Sequence, residues 1–170
     1  MPGDPASLSA CGRTVREVAR RLEDDATGVR TAYREVGEEW TGRTSAAARR
    51  AGADLADAAS AAGADLDRVG RVLQDQATDL ADLVARARVL EERAAAAGLE
   101  VRDGRVVQGW GVTGAADPDA HRERERTRVA LQADLDLVLA QHRRRRDWVL
   151  EVLRDSTTLL AEVSRRLRQG

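Results

Sequence analysis

The chain has 170 residues, 42 % hydrophobic but only 2 % aromatic, and its 28 basic and 29 acidic residues leave a net charge of −1. That length suits one domain with a real core, and a core of Ala, Leu and Val favours close-packed helices over stacked strands. The balanced charge argues against nucleic-acid binding, which normally needs a net basic domain. Lys, Ile, Asn and Phe are all absent, so every basic residue is Arg; these four have AT-rich codons, which points to a GC-rich genome.

The opening MPGDPASL has no basic stretch followed by an apolar one, so no secretory signal peptide is expected. No uncharged apolar run approaches the roughly 18 residues that a membrane span requires. Asp4-Pro5 is an N-cap followed by proline at the first helical position. Leu8, Cys11, Val15, Val18 and Leu22 then recur at three- and four-residue spacing. Val29, Tyr33, Val36 and Trp40 continue that stripe after a shift at Ala26, predicting an amphipathic helix over 5–38. Cys11 is the single cysteine and has no partner for an intramolecular disulfide.

Trp40-Thr41-Gly42 interrupts the pattern as a tight turn, and helical composition resumes at once over 43–97. The seam Leu66, Val69, Leu73, Gln76, Leu80, Leu83, Ala87, Leu90 alternates steps of three and four, as in coiled-coil packing. Gly52, Gly63 and Gly70 weaken this helix by roughly 1 kcal/mol each relative to Ala, or let another helix approach closely. Gly98 is a good helix stop. Asp103-Gly104 between β-branched residues then signals a hairpin over 99–108, inside a connector of 98–117.

Asp117-Pro118 repeats the cap signature and opens a third helix running to the end. Its seam is Leu131, Leu135, Val138, Val149, Val152, Leu159, Val163 and Leu167, with a second stripe at Leu150, Leu153 and Leu160. Trp148 is placed on the apolar side as a packing residue. His142 and Arg145 leave a polar gap, so 143–147 is a candidate break; the absence of Gly and Pro there favours one continuous helix.

These elements predict an all-α fold: an elongated bundle of three long antiparallel helices with a small β-hairpin between the second and third. The segments are 1–97, a helical hairpin; 98–117, the connector; and 118–170, a third helix on the hairpin, all within one structural domain. At about 1.5 Å per residue the first helix reaches about 50 Å and the others roughly 75–80 Å. A seam half covered in this way calls for a partner.

A long helix, Trp40-Thr41-Gly42 at the turn, and a second antiparallel helix resemble the WxG superfamily of type VII (ESX) secretion proteins. The opening Gly-Asp-Pro also fits longer actinobacterial members, and the resemblance covers a little over half of the chain. It implies export by a type VII system as a dimer with a helical partner. Partner-binding residues would be Trp40, Thr41, Gly42 and Tyr33. It also implies a cytoplasmic protein before export, secreted or held at the cell surface afterwards. In such pairs the turn lies beside a Tyr-x-x-x-Asp/Glu signal in the partner's tail. This chain has no such signal, because its only tyrosine, Tyr33, is followed four residues later by Gly37. A partner would therefore supply it.

Other readings compete with that one. Arg143 to Arg146 resemble an anionic-surface motif, but Asp147, Glu151 and Asp155 beside them indicate a solvated helix face. Trp110, in a Gly-rich stretch, reads as a loop anchor. His121, His142 and Cys11 stand singly rather than as the close pairs that zinc uses. No phosphate-binding loop or nucleophile motif is present. No metal, cofactor, catalytic residue or nucleic acid is expected, nor is membrane contact. A cytosolic coiled-coil scaffold, and an amphipathic protein of the membrane surface, are the rival classes.

Overall fold

The structure is a computed structural model that describes residues 4–39, 42–109 and 118–169, with side chains for all of these except 36–39 and 169. It is all-α with one small hairpin. The elements are α1 (Pro5–Glu39), α2 (Arg43–Ala96), β1 (Leu99–Arg102), β2 (Arg105–Gln108) and α3 (Pro118–Gln169). Each helix ends within two residues of its sequence-based bounds, and α3 continues unbroken through 143–147.

Local chemistry sets these ends. The Asp4 carboxylate accepts hydrogen bonds from the Ala6 and Ser7 amides at 3.2 and 3.0 Å, satisfying donors that the first turn leaves free. Ser7 Oγ donates to it as well, at 2.7 Å. Gly98 ends α2 with φ 70°, and its amide closes the last turn on Ala95 O at 3.0 Å. Asp103 and Gly104 both have positive φ, 51° and 75°, with Arg102 paired to Arg105 across them. That is the type I′ turn expected of Asp-Gly.

The contacts divide the chain into two compact units, and the divisions cut α2 and α3 rather than falling in the connector. One unit is Thr78–Asp147; the other joins Gly3–Ala77 with Trp148–Gly170. The segments 1–97, 98–117 and 118–170 follow the elements, whereas each compact unit takes a stretch of both long helices.

In the unit of Gly3–Ala77 and Trp148–Gly170, small residues bring α1 against α2. A Cβ built on Gly12 would lie 2.8 Å from Gly70 O, and one on Gly70 would lie 2.8 Å from Gly12 O. One on Gly63 would reach Ala19 O at 3.1 Å. Ala26 and Ala56, both wholly buried, continue the same antiparallel spacing. Ion pairs line the edges: Arg16 to Asp67 at 3.0 Å and Arg30 to Asp57 at 3.1 Å. From α3, Val149 and Val152 pack with Val69, Val72 and Leu73, joined by Val15 of α1 and by Leu153. Buried Ser156 donates a hydrogen bond to buried Asp65, which also pairs with Arg68.

This packing corrects the expected seam of α1. Cys11 and Val18 are exposed, and no shift occurs at Ala26. The inward positions are Leu8, Gly12, Val15, Ala19, Leu22, Ala26 and Val29, an unbroken alternation of four and three. The cause is close approach: where backbones nearly touch, glycine and alanine fill the centre and larger residues flank it. On α3, Trp148, Leu150, Leu159 and Leu167 are exposed. Val149, Val152 and Ser156 hold the buried line, and Trp148 sits one residue, about 100° of helical rotation, away from it.

In the unit of Thr78–Asp147, larger side chains do the packing. Leu83, Leu90 and Ala94 of α2 meet Leu131, Leu135 and Val138 of α3. Leu99 and Val106 of the hairpin close one side of that core. A two-stranded hairpin is marginal alone, and Gln132 clamps this one: its Oε1 accepts the Val106 amide at 2.8 Å and its Nε2 donates to Gly104 O at 3.3 Å. The polar gap expected on α3 is filled by an ion pair between Arg145 and Asp79.

Candidate partner-binding surfaces

The turn between α1 and α2 is the first candidate. Trp40 and Thr41 lie outside the described residues, as do Trp110, Asp117 and the side chain of Val36. Gly42 is described, and its φ of 117° is one that L side chains rarely adopt. Among the described residues a Cβ there would meet nothing within 4 Å. The glycine therefore serves the backbone angle. Its carbonyl accepts the Ala46 amide at 3.0 Å and begins α2.

Tyr33 stands 36 % exposed on the last turns of α1. Its ring lies flat on α2, because a Cβ built on Gly52 would come within 2.4 to 2.6 Å of the ring carbons. Arg30, Arg34, Arg49 and Ala53 complete a shallow pocket around it. The Arg30 guanidinium is engaged by Asp57 Oδ1 at 3.1 Å and Ser60 Oγ at 3.0 Å. Chemically this pocket offers an aromatic face and cationic walls, suited to an apolar side chain with a carboxylate beside it. Tyr33 and Gly42 thus lie in one unit, at the end of α1 and the start of α2.

The second candidate is a face of the Thr78–Asp147 unit that the sequence analysis did not single out. Val89 and Leu137 are 53 % and 69 % exposed, and they line a groove between α2 and α3 with Arg86, Arg93 and Asp134. Arg93 reaches Asp134 across it at 3.2 Å, and Arg86 donates to Gln141 Oε1 at 2.6 Å. A sequence signal existed: Val89 and Leu137 each directly precede a seam residue, Leu90 and Val138. Such a doubled apolar position widens the apolar stripe beyond what one neighbour covers.

Charge elsewhere serves helix ends and helix faces. Hydrogen bonding from the Ser7 hydroxyl, and then from the Ser7 and Ala6 amides, holds the Asp4 carboxyl below its ordinary value. The Arg128 guanidinium likewise lowers Glu125, and Glu125 raises Arg128. Among the described residues no group of three or more His, Cys, Asp or Glu is placed to hold a metal ion. No described helix is long and apolar enough to cross a membrane. Compared with protein-family models, curated proteins and solved structures, the chain matches none.

Proposed function

We propose that this chain is a non-enzymatic helical component of a type VII (ESX) secretion system, acting as a substrate, adaptor or co-secreted targeting subunit through helix–helix association. One observation carries the reading: two antiparallel amphipathic helices are joined through Trp40-Thr41-Gly42, with Gly42 at positive φ. Tyr33 and its arginines lie on the same hairpin and give a partner helix an aromatic and cationic seat. The partner brings the Tyr-x-x-x-Asp/Glu signal, and export follows from the pair.

The test compares culture supernatants of the native host with those of a strain lacking its type VII machinery. Export that depends on the machinery supports the reading. A protein confined to the cytosol in both strains would replace it with the coiled-coil scaffold.

A further inference from the structure

We propose that Asp82, Val89 and Arg93 of α2, with Asp134, Leu137 and Arg144 of α3, form a docking surface on which a second copy of this chain lies antiparallel. The centre of the surface is apolar and open, with Val89 and Leu137 more than half exposed. Leu99 and Val106 of the hairpin belong to the buried core of this helix pair, whereas among the described residues nothing covers the groove at Val89 and Leu137.

The spacing puts each set on one stripe. Asp82 precedes Val89 by seven residues and Arg93 follows it by four; Arg144 follows Leu137 by seven and Asp134 precedes it by three. Steps of three, four and seven return to the same face of a helix. Both stripes are therefore acidic at the N-terminal end, aliphatic in the middle and basic at the C-terminal end.

That polarity makes the face complementary to a second copy of itself. Arg86 meets Gln141 and Arg93 meets Asp134, so residues 87–88 of α2 lie beside 139–140 of α3. These are also the midpoints of the two charged stripes. One twofold axis through both midpoints, in the plane of the face and across the helices, sets Asp82 against Arg93 of the second copy. The same axis sets Asp134 against Arg144 of the second copy. A twofold axis along the helices would instead lay α2 on α3 of the second copy and join Asp82 to Arg144 and Arg93 to Asp134, so mixing charge-reversed variants decides between the two directions. An isologous contact of this kind needs a surface complementary to itself, and an acid-to-base polarity on antiparallel helices meets that condition. Asp82 and Arg144 make no ion pair among the described side chains, so their charges are available, whereas Arg93 and Asp134 share theirs with the ion pair they make with each other. Two aliphatic side chains per copy make a small interface, so the dimer is weak and concentration-dependent.

The inference uses neither Tyr33 nor the Trp40–Gly42 turn, so its failure and that of the secretion reading are distinguishable. Sedimentation velocity on the full chain, from micromolar to submillimolar concentration, should show a reversible monomer–dimer equilibrium. Asp82→Arg and Arg93→Asp should each move its midpoint upward by more than about tenfold with unchanged circular dichroism. Mixed together, the two variants should pair again, because like charges within each variant become opposite charges across the mixed dimer. Asp134→Arg and Arg144→Asp form an independent second set with the same expectation, and Leu137→Asp should abolish pairing. A wild-type chain that stays monomeric throughout overturns the proposal. So does a dimer indifferent to these reversals, or a mixture that fails to pair in both sets.

Discussion

Where α1 meets α2 in the unit of Gly3–Ala77 and Trp148–Gly170, glycine and alanine bring backbones so close that Gly12 and Gly70 leave no room for a Cβ. In the unit of Thr78–Asp147, Leu83, Leu131 and Leu135 keep the helices apart and fill the space themselves. The first arrangement specifies register by excluding bulk; the second stabilises by burying it. One unit should therefore fail when side chains grow, and the other when they shrink. The comparison also bears on function. The small-residue unit carries Tyr33 and Gly42, while the large-residue unit presents an aliphatic groove that no described residue covers.

The largest effect should come from truncating the Leu core. Leu83 and Leu131 are each only 1 % exposed. Leu83→Ala or Leu131→Ala should cost about 2–5 kcal/mol through lost burial and the cavity left behind, read as a lower urea midpoint. Overpacking comes next. Gly70→Ala gains helix propensity of up to about 1 kcal/mol, but its Cβ meets the Gly12 carbonyl and the Arg16 side chain. A net loss of about 1–3 kcal/mol is expected. A stabilised Gly70→Ala would show that the close approach is not required, and the contrast between the units would collapse.

Smaller effects sharpen the same contrast. Ser156→Ala removes the hydroxyl that donates to buried Asp65 and should cost about 1–2 kcal/mol, measured by denaturant titration. Gly28, on the open side of α1 with nothing within 4 Å of a Cβ, gives the opposite sign. Gly28→Ala should raise stability by about 0.5–1 kcal/mol from propensity alone. The smallest effect is at Asp4, fully exposed, whose folded pKa is depressed below 3.8 by the helix start. Its stabilisation is present above the unfolded value and is lost as pH falls through the folded one. The melting difference between wild type and Asp4→Ala should therefore shrink to nothing in that acid range.

Much of this was legible in the sequence because it is local. The Asp4-Pro5 cap, the Asp-Gly hairpin and the α2 seam from Leu66 to Leu90 all rest on neighbours within one or two turns. The seam of α1 was misread because apolar size is the usual guide, whereas close packing puts Gly12, Ala19 and Ala26 at the centre. Trp148 was misplaced for a related reason: large apolar residues adjoin the buried line as well as occupy it. The pairing of Arg145 with Asp79 joins residues far apart in the chain, and no periodicity on either helix announces it. At the candidate site, the turn motif was visible as a tripeptide. The seating of Tyr33 on Gly52 required the fold, whereas Val89 and Leu137 left a trace in the sequence as doubled apolar positions beside Leu90 and Val138.

In the proposed secretion role Trp40 serves association and export rather than folding. Gly42→Ala is a poor probe of this, because its positive φ gives any side chain there a folding cost of its own. Trp40→Ala is the direct one, expressed in the native host and followed by thermal melting of the purified chain and by its amount in the culture supernatant. That role predicts near wild-type helix content, a modest drop in melting temperature and loss of the protein from the supernatant. Export in full by a variant that melts several degrees lower would contradict it and make the turn a structural element alone.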